Sequence, residues 1–174
     1  MKKKEKPTYN GITFDSDEER EFFWWAEEAV SIGAIFAFKY HDFEPWVLSE
    51  KATMKVQKVL KTKIKIIDKF LFHPHQYTHD FEIDTGENNR FFNPIENRYV
   101  YIDVKGGFMD RGATQEFSIN RKWMWQRHGI YIDKVVPKKF FKKTWVPEFA
   151  RYTEKRKDLK ECYLGFNTVD SKGL

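Results

Sequence analysis

The sequence predicts an α/β fold, because segments with helical periodicity alternate with segments typical of strands. Its 174 residues suit a single domain, and a 41% share of hydrophobic residues is enough to form a core. A strand at 98–104, a helix at 114–128 and a strand at 130–136 follow one another. This order predicts a right-handed crossover that joins two parallel strands.

The first helix is expected to begin after Ser16, which is a suitable N-cap residue. Glu19 stands three positions later, as in a capping box. Apolar residues then recur at helical spacing as far as Gly33, where we expect the helix to end. A change to aromatic and apolar residues predicts the next strand at 34–40.

Residues 49–62 fit either a helix or a strand, since their apolar positions have helical spacing while their β-branched residues favour a strand; strands are the preferred interpretation. Paired strands are expected at about 55–72, since Lys63-Ile64-Lys65-Ile66 alternates in polarity. The following strand is expected at 77–83. The long interval before the strand at 98–104 predicts an elongated hairpin near 84–98.

The predicted organisation is a flexible basic arm at 1–10, one domain at 11–160 and a tail at 161–174. Within that domain, a last helix is expected from Pro147 to about residue 161.

The charge distribution favours a polyanionic partner. The formal net charge is +5, and the lysines and arginines cluster at 51–69, 138–143 and 151–160. Such clusters are typical of proteins that bind nucleic acid, although a solvated basic face has the same composition. No apolar run reaches the length of a membrane span, so we expect no membrane partner. The sequence begins without the apolar stretch of a signal peptide, and its lone cysteine, Cys162, fits a reducing cytoplasm.

Two short motifs carry the candidate chemistry. The first is Tyr77-Thr78-His79-Asp80-Phe81, and the second is Asp103-Val104-Lys105-Gly106. Side chains alternate along a strand, so the acid and the lysine of the second motif share a face. An aspartate on a neighbouring strand can join them there.

These residues suit a divalent metal ion. Carboxylate oxygens are hard ligands that favour Mg²⁺, with Mn²⁺ as a substitute. Asp80 and Asp103 are the expected ligands, together with the Val104 carbonyl and Glu19 from the first turn of the first helix. Lys105 is expected to hold an attacking water or to stabilise developing negative charge. A capping role alone would also explain Glu19.

Together, Ser16-x-x-Glu19 and the two motifs resemble the PD-(D/E)xK nucleases. Within that superfamily they are most similar to phage junction-resolving enzymes of the endonuclease I type. The resemblance covers about residues 11–136 and implies a restriction-endonuclease-like fold, with a central mixed sheet flanked by helices. It also implies Mg²⁺-dependent cleavage of branched or duplex DNA by a homodimer in the cytoplasm of a host cell. By position it assigns the catalytic set, which is Glu19, Asp80, Asp103 and Lys105.

The sequence departs from the superfamily pattern in three places. His79 stands where proline commonly precedes the aspartate, and Asp103 replaces the commoner glutamate. The interval from Asp80 to Asp103 is also long, which is the basis for the elongated hairpin.

Several other polar and aromatic side chains allow more than one interpretation. His73, His75 and His79 suggest zinc, but ligand geometry along one straight strand is poor. Glu82 and Asp84 are either outer ligands or charges of the hairpin. Four tryptophans can stack on bases or belong to the core or a dimer interface: Trp24, Trp25, Trp123 and Trp125.

Four basic residues are the expected nucleic-acid contacts: Arg121, Lys122, Lys63 and Lys65. Two alternatives to a junction resolvase remain at the level of sequence. One is a DNA-binding module with a nuclease fold that does not cleave. The other is a nuclease for duplex, single-stranded or RNA substrates.

Overall fold

The computed structural model describes residues 5–87, 89–107 and 111–153. Within these ranges the chain forms strands and helices in the following order: β1 (Thr8–Tyr9), β2 (Ile12–Thr13), α1 (Asp17–Ser31), β3 (Ala37–Tyr40), β4 (Trp46–Ser49), β5 (Ala52–Val59), β6 (Ile64–Phe72), β7 (His75–Tyr77), β8 (Phe81–Asp84), β9 (Tyr99–Val104), α2 (Arg111–His128), β10 (Ile132–Val135), α3 (Pro137–Phe140) and α4 (Glu148–Arg151). The fold is therefore of the α/β class, as the sequence predicts.

A four-stranded sheet in the order β10-β9-β8-β3 lies at the centre. β9 and β10 are parallel, and α2 connects them as the predicted crossover. β8 is antiparallel to both β9 and β3, so the sheet is mixed. Three two-stranded ladders accompany the sheet, formed by β1 with β2, β4 with β7 and β5 with β6.

Alternation along β9 divides the core between two faces of the sheet. Val100, Ile102 and Val104 point into a large aromatic cluster that includes the buried side of α1. Tyr101 on the other face packs with a smaller cluster that contains Met124 of α2. Because side chains alternate along a strand, Asp103 belongs to the same face as Tyr101.

The first helix begins and ends where the sequence predicts. Ser16 is its N-cap, and the Ser16 hydroxyl accepts a hydrogen bond from the Glu19 amide at 3.1 Å. Gly33 follows the C-cap with a φ of 70°, a left-handed conformation that glycine adopts at little cost.

The predicted flexible arm at 1–10 is wrong for its described part. Thr8 and Tyr9 pair with β2, and the Lys6 ammonium lies 2.5 Å from Asp15. The Tyr9 ring also packs edge-on against Trp24 of α1. Residues 5–10 are thus attached to the domain by pairing and aromatic packing.

The strand predicted at 77–83 is divided in two. β7 ends at Tyr77 and β8 begins at Phe81, so Asp80 precedes a strand instead of lying within one. The division follows from a change of partner, because β7 pairs with β4 while β8 pairs with β3 and β9.

The interval at 84–98 is not an elongated hairpin in its described part. The β8–β9 ladder stops at the pair Asp84 and Tyr99, and the described residues between them form no strand. Asn89 instead donates its side-chain amide to the carbonyls of Pro94 and Asn97. This connection is a packed loop, and the long hairpin of the structure is β5–β6.

The last predicted helix begins as expected, with Pro147 as the N-cap of α4. Its expected end near residue 161 and the tail at 161–174 lie outside the described residues. No helix in the described part of the chain combines the length and apolar character that a membrane crossing requires.

Trp25→Ala should lower the free energy of unfolding by about 3–5 kcal/mol, since it removes a large side chain that is 0% exposed in the core. Trp125→Ala is the matched control. That side chain is 59% exposed, so its removal should change stability by no more than about 0.5 kcal/mol. Urea unfolding measures both values, and equal losses would contradict this assignment of the core.

Candidate metal centre

Asp80 is fixed against the end of β9 by its backbone and its side chain. The Asp80 amide donates to the Ile102 carbonyl at 2.9 Å. Its carboxylate Oδ2 accepts a hydrogen bond from the Val104 amide at 2.6 Å. The carboxylate therefore lies beside the second motif, as the sequence predicts, although it reaches that position from a turn.

Asp103 and Lys105 form the second part of the site. Asp103 is 3% exposed, and its Oδ2 accepts a hydrogen bond from the Tyr77 hydroxyl at 2.7 Å. Its Oδ1 forms an ion pair with the Lys105 ammonium. These contacts place an acid and a base on one face of the strand end, as alternation along β9 requires.

Glu19 enters the site from the first turn of α1. Its Oε1 accepts a hydrogen bond from the Ser16 hydroxyl at 2.8 Å, and its Oε2 accepts one from the Tyr40 hydroxyl at 2.8 Å. Glu19 acts on the pKa of both Asp80 and Lys105 through its charge. The cap and the site position are therefore compatible at this residue.

Tyr40 and His41 complete the surroundings of Asp80. The His41 amide donates to the Asp80 carbonyl at 3.2 Å, and the His41 Nε2 lies 3.4 Å from the Asp80 Oδ1. The His41 ring stacks on Tyr40 with centroids 4.3 Å apart. His41 has a φ of 50°, a conformation that costs a residue with a side chain on the order of 1–3 kcal/mol. This strained residue therefore lies directly beside Asp80 of the candidate site.

The site holds more negative than positive charge. Burial is the main cause that raises the pKa of Asp80, to about 6, and the charges of Asp103 and Glu19 act in the same direction. The hydrogen bond to Asp80 raises the pKa of His41 above its usual value. Burial lowers the pKa of Lys105, but the charges of Asp103, Asp80 and Glu19 outweigh burial and raise it. Lys105 is thus a cation at neutral pH.

Two tyrosine hydroxyls stay protonated at neutral pH and donate hydrogen bonds to carboxylates of the site. Burial raises the pKa of Tyr77, and Asp103 raises it further. Burial also raises the pKa of Tyr40, with the hydrogen bond to Glu19 as the next cause. Each tyrosine therefore stays neutral and orients one carboxylate through its hydroxyl hydrogen bond.

The arrangement fits a divalent cation bound by oxygen. The carboxylates of Glu19, Asp80 and Asp103 are close enough for their charges to shift the pKa of Asp80 or of Lys105. Their combined negative charge exceeds the positive charge of the Lys105 ammonium. Such a surplus is the usual environment of Mg²⁺ or Mn²⁺. Ligand atoms of Asp15, Glu19 and His41 lie within 4.8 Å of one another, whereas those of Glu19, Asp80 and Asp103 form no group that close among the described residues. Binding of one ion by all three carboxylates therefore requires their side chains to move closer together.

The histidines considered for zinc are not brought together among the described residues. His79 is buried and stacks on Phe43 with centroids 3.9 Å apart, and burial lowers its pKa to about 4. The His75 ring instead pairs with the Asn120 side chain at 2.8 Å. His79 is thus a core residue, which explains how it can stand next to Asp80 without being a ligand.

Asp84 is a charge of the β8–β9 ladder. Both of its carboxylate oxygens accept hydrogen bonds from Arg98, at 2.8 and 2.9 Å. Glu82 pairs across the ladder with Tyr101, and neither residue is placed in the metal centre by these contacts.

The basic candidates lie on two different elements. Arg121 and Lys122 are on α2, where the Arg121 guanidinium lies over the rings of Phe117 and Tyr131. Lys63 and Lys65 are exposed at the tip of the β5–β6 hairpin.

Two of the four tryptophans are excluded from base stacking. Trp24 and Trp25 are buried in the core, whereas Trp123 and Trp125 are exposed on α2.

Sequence reasoning missed Tyr40 and His41 and gave no role to Tyr77. The first two become neighbours of the site because β3 pairs with β8 in the register that sets Tyr40 opposite Phe81. Tyr40 and His41 are a polar pair at the end of a predicted strand, which was the signal in the sequence. The partner of that strand depends on long-range pairing, which the local sequence does not encode.

The chain matches no protein-family profile, no curated protein and no solved structure.

Asp80→Asn should increase the stability of the metal-free protein. A carboxyl whose pKa rises on folding from 3.8 to about 6 loses stability as pH rises across that interval. At a pH of about 8 the gain should be about 1–3 kcal/mol, and near pH 4 it should disappear. Chemical denaturation with EDTA present measures this difference.

Asp84→Asn is the control for Asp80→Asn, at the opposite end of β8. The hydrogen bonds from Arg98 lower the pKa of Asp84, so its replacement should decrease stability at neutral pH. If Asp80→Asn also destabilises the protein at a pH of about 8, the electrostatic description of the site is wrong.

Proposed function

We propose that the chain is a metal-dependent endonuclease with a restriction-endonuclease-like fold, related to the PD-(D/E)xK nucleases. The observation that carries the proposal is the convergence of Glu19, Asp80, Asp103 and Lys105 at one end of the mixed sheet. Hydrolysis of a phosphodiester needs a positioned water, neutralisation of the phosphate charge and stabilisation of the leaving oxygen. This set of side chains suits those needs.

Asp80 and Asp103 would hold Mg²⁺, with the Val104 carbonyl and Glu19 as further ligands. When bound, the ion supplies Lewis-acid stabilisation of the phosphate and of the leaving oxygen. Tyr77 and Tyr40 keep the Asp103 and Glu19 carboxylates in fixed orientations through their hydroxyl hydrogen bonds. Fixed carboxylates need little reorganisation during the reaction.

Lys105 is proposed to position the attacking water and to stabilise negative charge on the phosphate. The water oxygen bonds to phosphorus while the bond to the leaving oxygen breaks; the water gives one proton to solvent and the leaving oxygen takes one proton from solvent, so the net reaction is hydrolysis. Because the surrounding carboxylates raise the pKa of Lys105, it remains an ammonium, and a role as general base is disfavoured. The ion pair with Asp103 places the ammonium beside the expected ligands.

We propose that the substrate is DNA, with a branched junction as the first substrate to test. The proposed assembly is a homodimer. The support is the net charge of +5, the clustered lysines and the resemblance of the motifs to junction-resolving enzymes. These features favour a polyanion; the branched structure itself follows from the resemblance alone.

Asp103→Asn and Lys105→Ala should each reduce cleavage of DNA in Mg²⁺ by at least about 100-fold, while DNA binding is retained. The measurement is product formation from a labelled four-way junction and a linear duplex, in Mg²⁺, in Mn²⁺ and in EDTA. Asp133→Asn is the matched control, because that aspartate lies on β10 and binds the Asn93 amide at 2.9 Å.

Absence of cleavage in both metals would reject the nuclease proposal. Salt-dependent DNA binding without cleavage would then favour the module that only binds DNA. Full activity of Asp103→Asn would reject the site assignment and leave the reaction class open.

Substrate preference is tested by comparing rates on junction, duplex and single-stranded DNA and on RNA of the same sequence. The proposal predicts faster cleavage of the junction than of the linear duplex. Equal or faster cleavage of the single-stranded substrates would replace junction resolution with single-strand or RNA processing.

A further inference from the structure

The β5–β6 hairpin is a two-stranded ribbon whose residues from 53 to 72 are all exposed or half-exposed. Val59 and Ile64 near its tip are 76% and 64% exposed. Its strands pair from Thr53 with Phe70 to Val59 with Ile64, and the Leu60 amide closes the turn by donating to the Lys63 carbonyl at 2.8 Å. An isolated two-stranded ribbon is marginally stable in water, so this one is suited to a partner.

The register gives the ribbon two different faces. Directly paired residues share a face, and side chains alternate along each strand. The first face carries the pairs of Val59 with Ile64, Gln57 with Ile66, Lys55 with Asp68 and Thr53 with Phe70, so its one lysine is opposite an acid. The second face carries Lys58 with Lys65, Val56 with Ile67 and Met54 with Lys69, together with Lys63 at the turn.

The second face, called the basic face below, concentrates like charges. Lys58 and Lys65 are direct cross-strand partners, and no acidic residue belongs to a pair on this face. Like charges at directly opposite positions destabilise a ladder. The repulsion between these lysines therefore destabilises the ribbon in the free protein. A partner that supplies negative charge along the ribbon would relieve this repulsion.

The ribbon is connected along the chain to the candidate metal centre through β7. β4 and β7 pair at the foot of β5 and β6, and the His75 amide donates to the Ser49 hydroxyl at 3.3 Å. β7 ends at Tyr77, whose hydroxyl binds Asp103. The basic face and Tyr77 of the candidate site therefore belong to consecutive strands, β6 and β7.

We propose that the basic face binds the phosphate backbone of a DNA duplex arm that flanks the cleaved bond. The proposal rests on the proposed function and adds the surface that holds the substrate. β5 has 8 residues, which gives a ribbon of about 26 Å and a reach of about 8 base pairs. A second copy of the chain would bring the same positive charges to this face, so charge complementarity favours the polyanion.

Lys65→Gln and Lys55→Gln are a matched pair, since both residues are exposed lysines of the same ribbon on opposite faces. In EDTA, Lys65→Gln should reduce the slope of log K against log salt concentration by about 1, and Lys55→Gln should leave it unchanged. The triple variant Lys58→Gln, Lys63→Gln and Lys65→Gln should reduce the slope by about 2–3 and weaken binding about tenfold or more. The weakening of binding by the triple variant should be smaller on duplexes shorter than about 8 base pairs.

Unfolding does not explain such a loss, because removing the charge of Lys58 or Lys65 relieves repulsion and should keep or raise the melting temperature. Equal slopes for the two single variants would overturn the proposal. Binding of the wild type to anionic phosphatidylserine vesicles in preference to duplex DNA would also overturn it, as would a dimer that is lost in the triple variant while DNA binding is kept.

The binding measurement is independent of catalysis. If no DNA is cleaved but the slopes separate as expected, the nuclease proposal fails and the basic face stands. If DNA is cleaved and the slopes of Lys65→Gln and Lys55→Gln are equal, the basic face fails and the nuclease proposal stands.

Discussion

The hydrogen bond from the Val104 amide to the Asp80 carboxylate is the contact on which the candidate site depends. It holds a buried carboxylate at the end of β9, next to Asp103 and within the electrostatic range of Glu19. A surplus of buried negative charge costs stability unless a cation compensates it. Lys105 compensates part of this charge, while burial, and after it the charges of Asp103 and Glu19, raise the pKa of Asp80.

The neighbouring side chains hold these carboxylates in place through hydrogen bonds. Tyr77 and Tyr40 each donate one hydroxyl hydrogen bond, and His41 contacts Asp80 through both its amide and its ring. The left-handed backbone at His41 adds a conformational cost at the same place. The orienting hydrogen bonds and the backbone strain are thus concentrated around carboxylate oxygen atoms that suit a divalent ion.

Much of the site could be predicted from the sequence, since alternation along a strand and the first turn of a helix are local rules. They bring together Asp80, Asp103 and Lys105 and place Glu19 at the start of α1. The rest depends on long-range pairing. The break before Asp80 follows from a change of strand partner, and the packed loop at 85–98 follows from hydrogen bonds of the Asn89 side chain. No periodicity encodes either contact.

The measurement closest to the central claim is a calorimetric titration of the full chain with Mn²⁺ at neutral pH, without nucleic acid. If the buried carboxylates form a metal centre, the wild type binds Mn²⁺ saturably and releases protons, because the raised pKa of Asp80 leaves part of it protonated. Asp103→Asn should lose most of that binding. No binding by the wild type, or equal binding by both proteins, would contradict the claim.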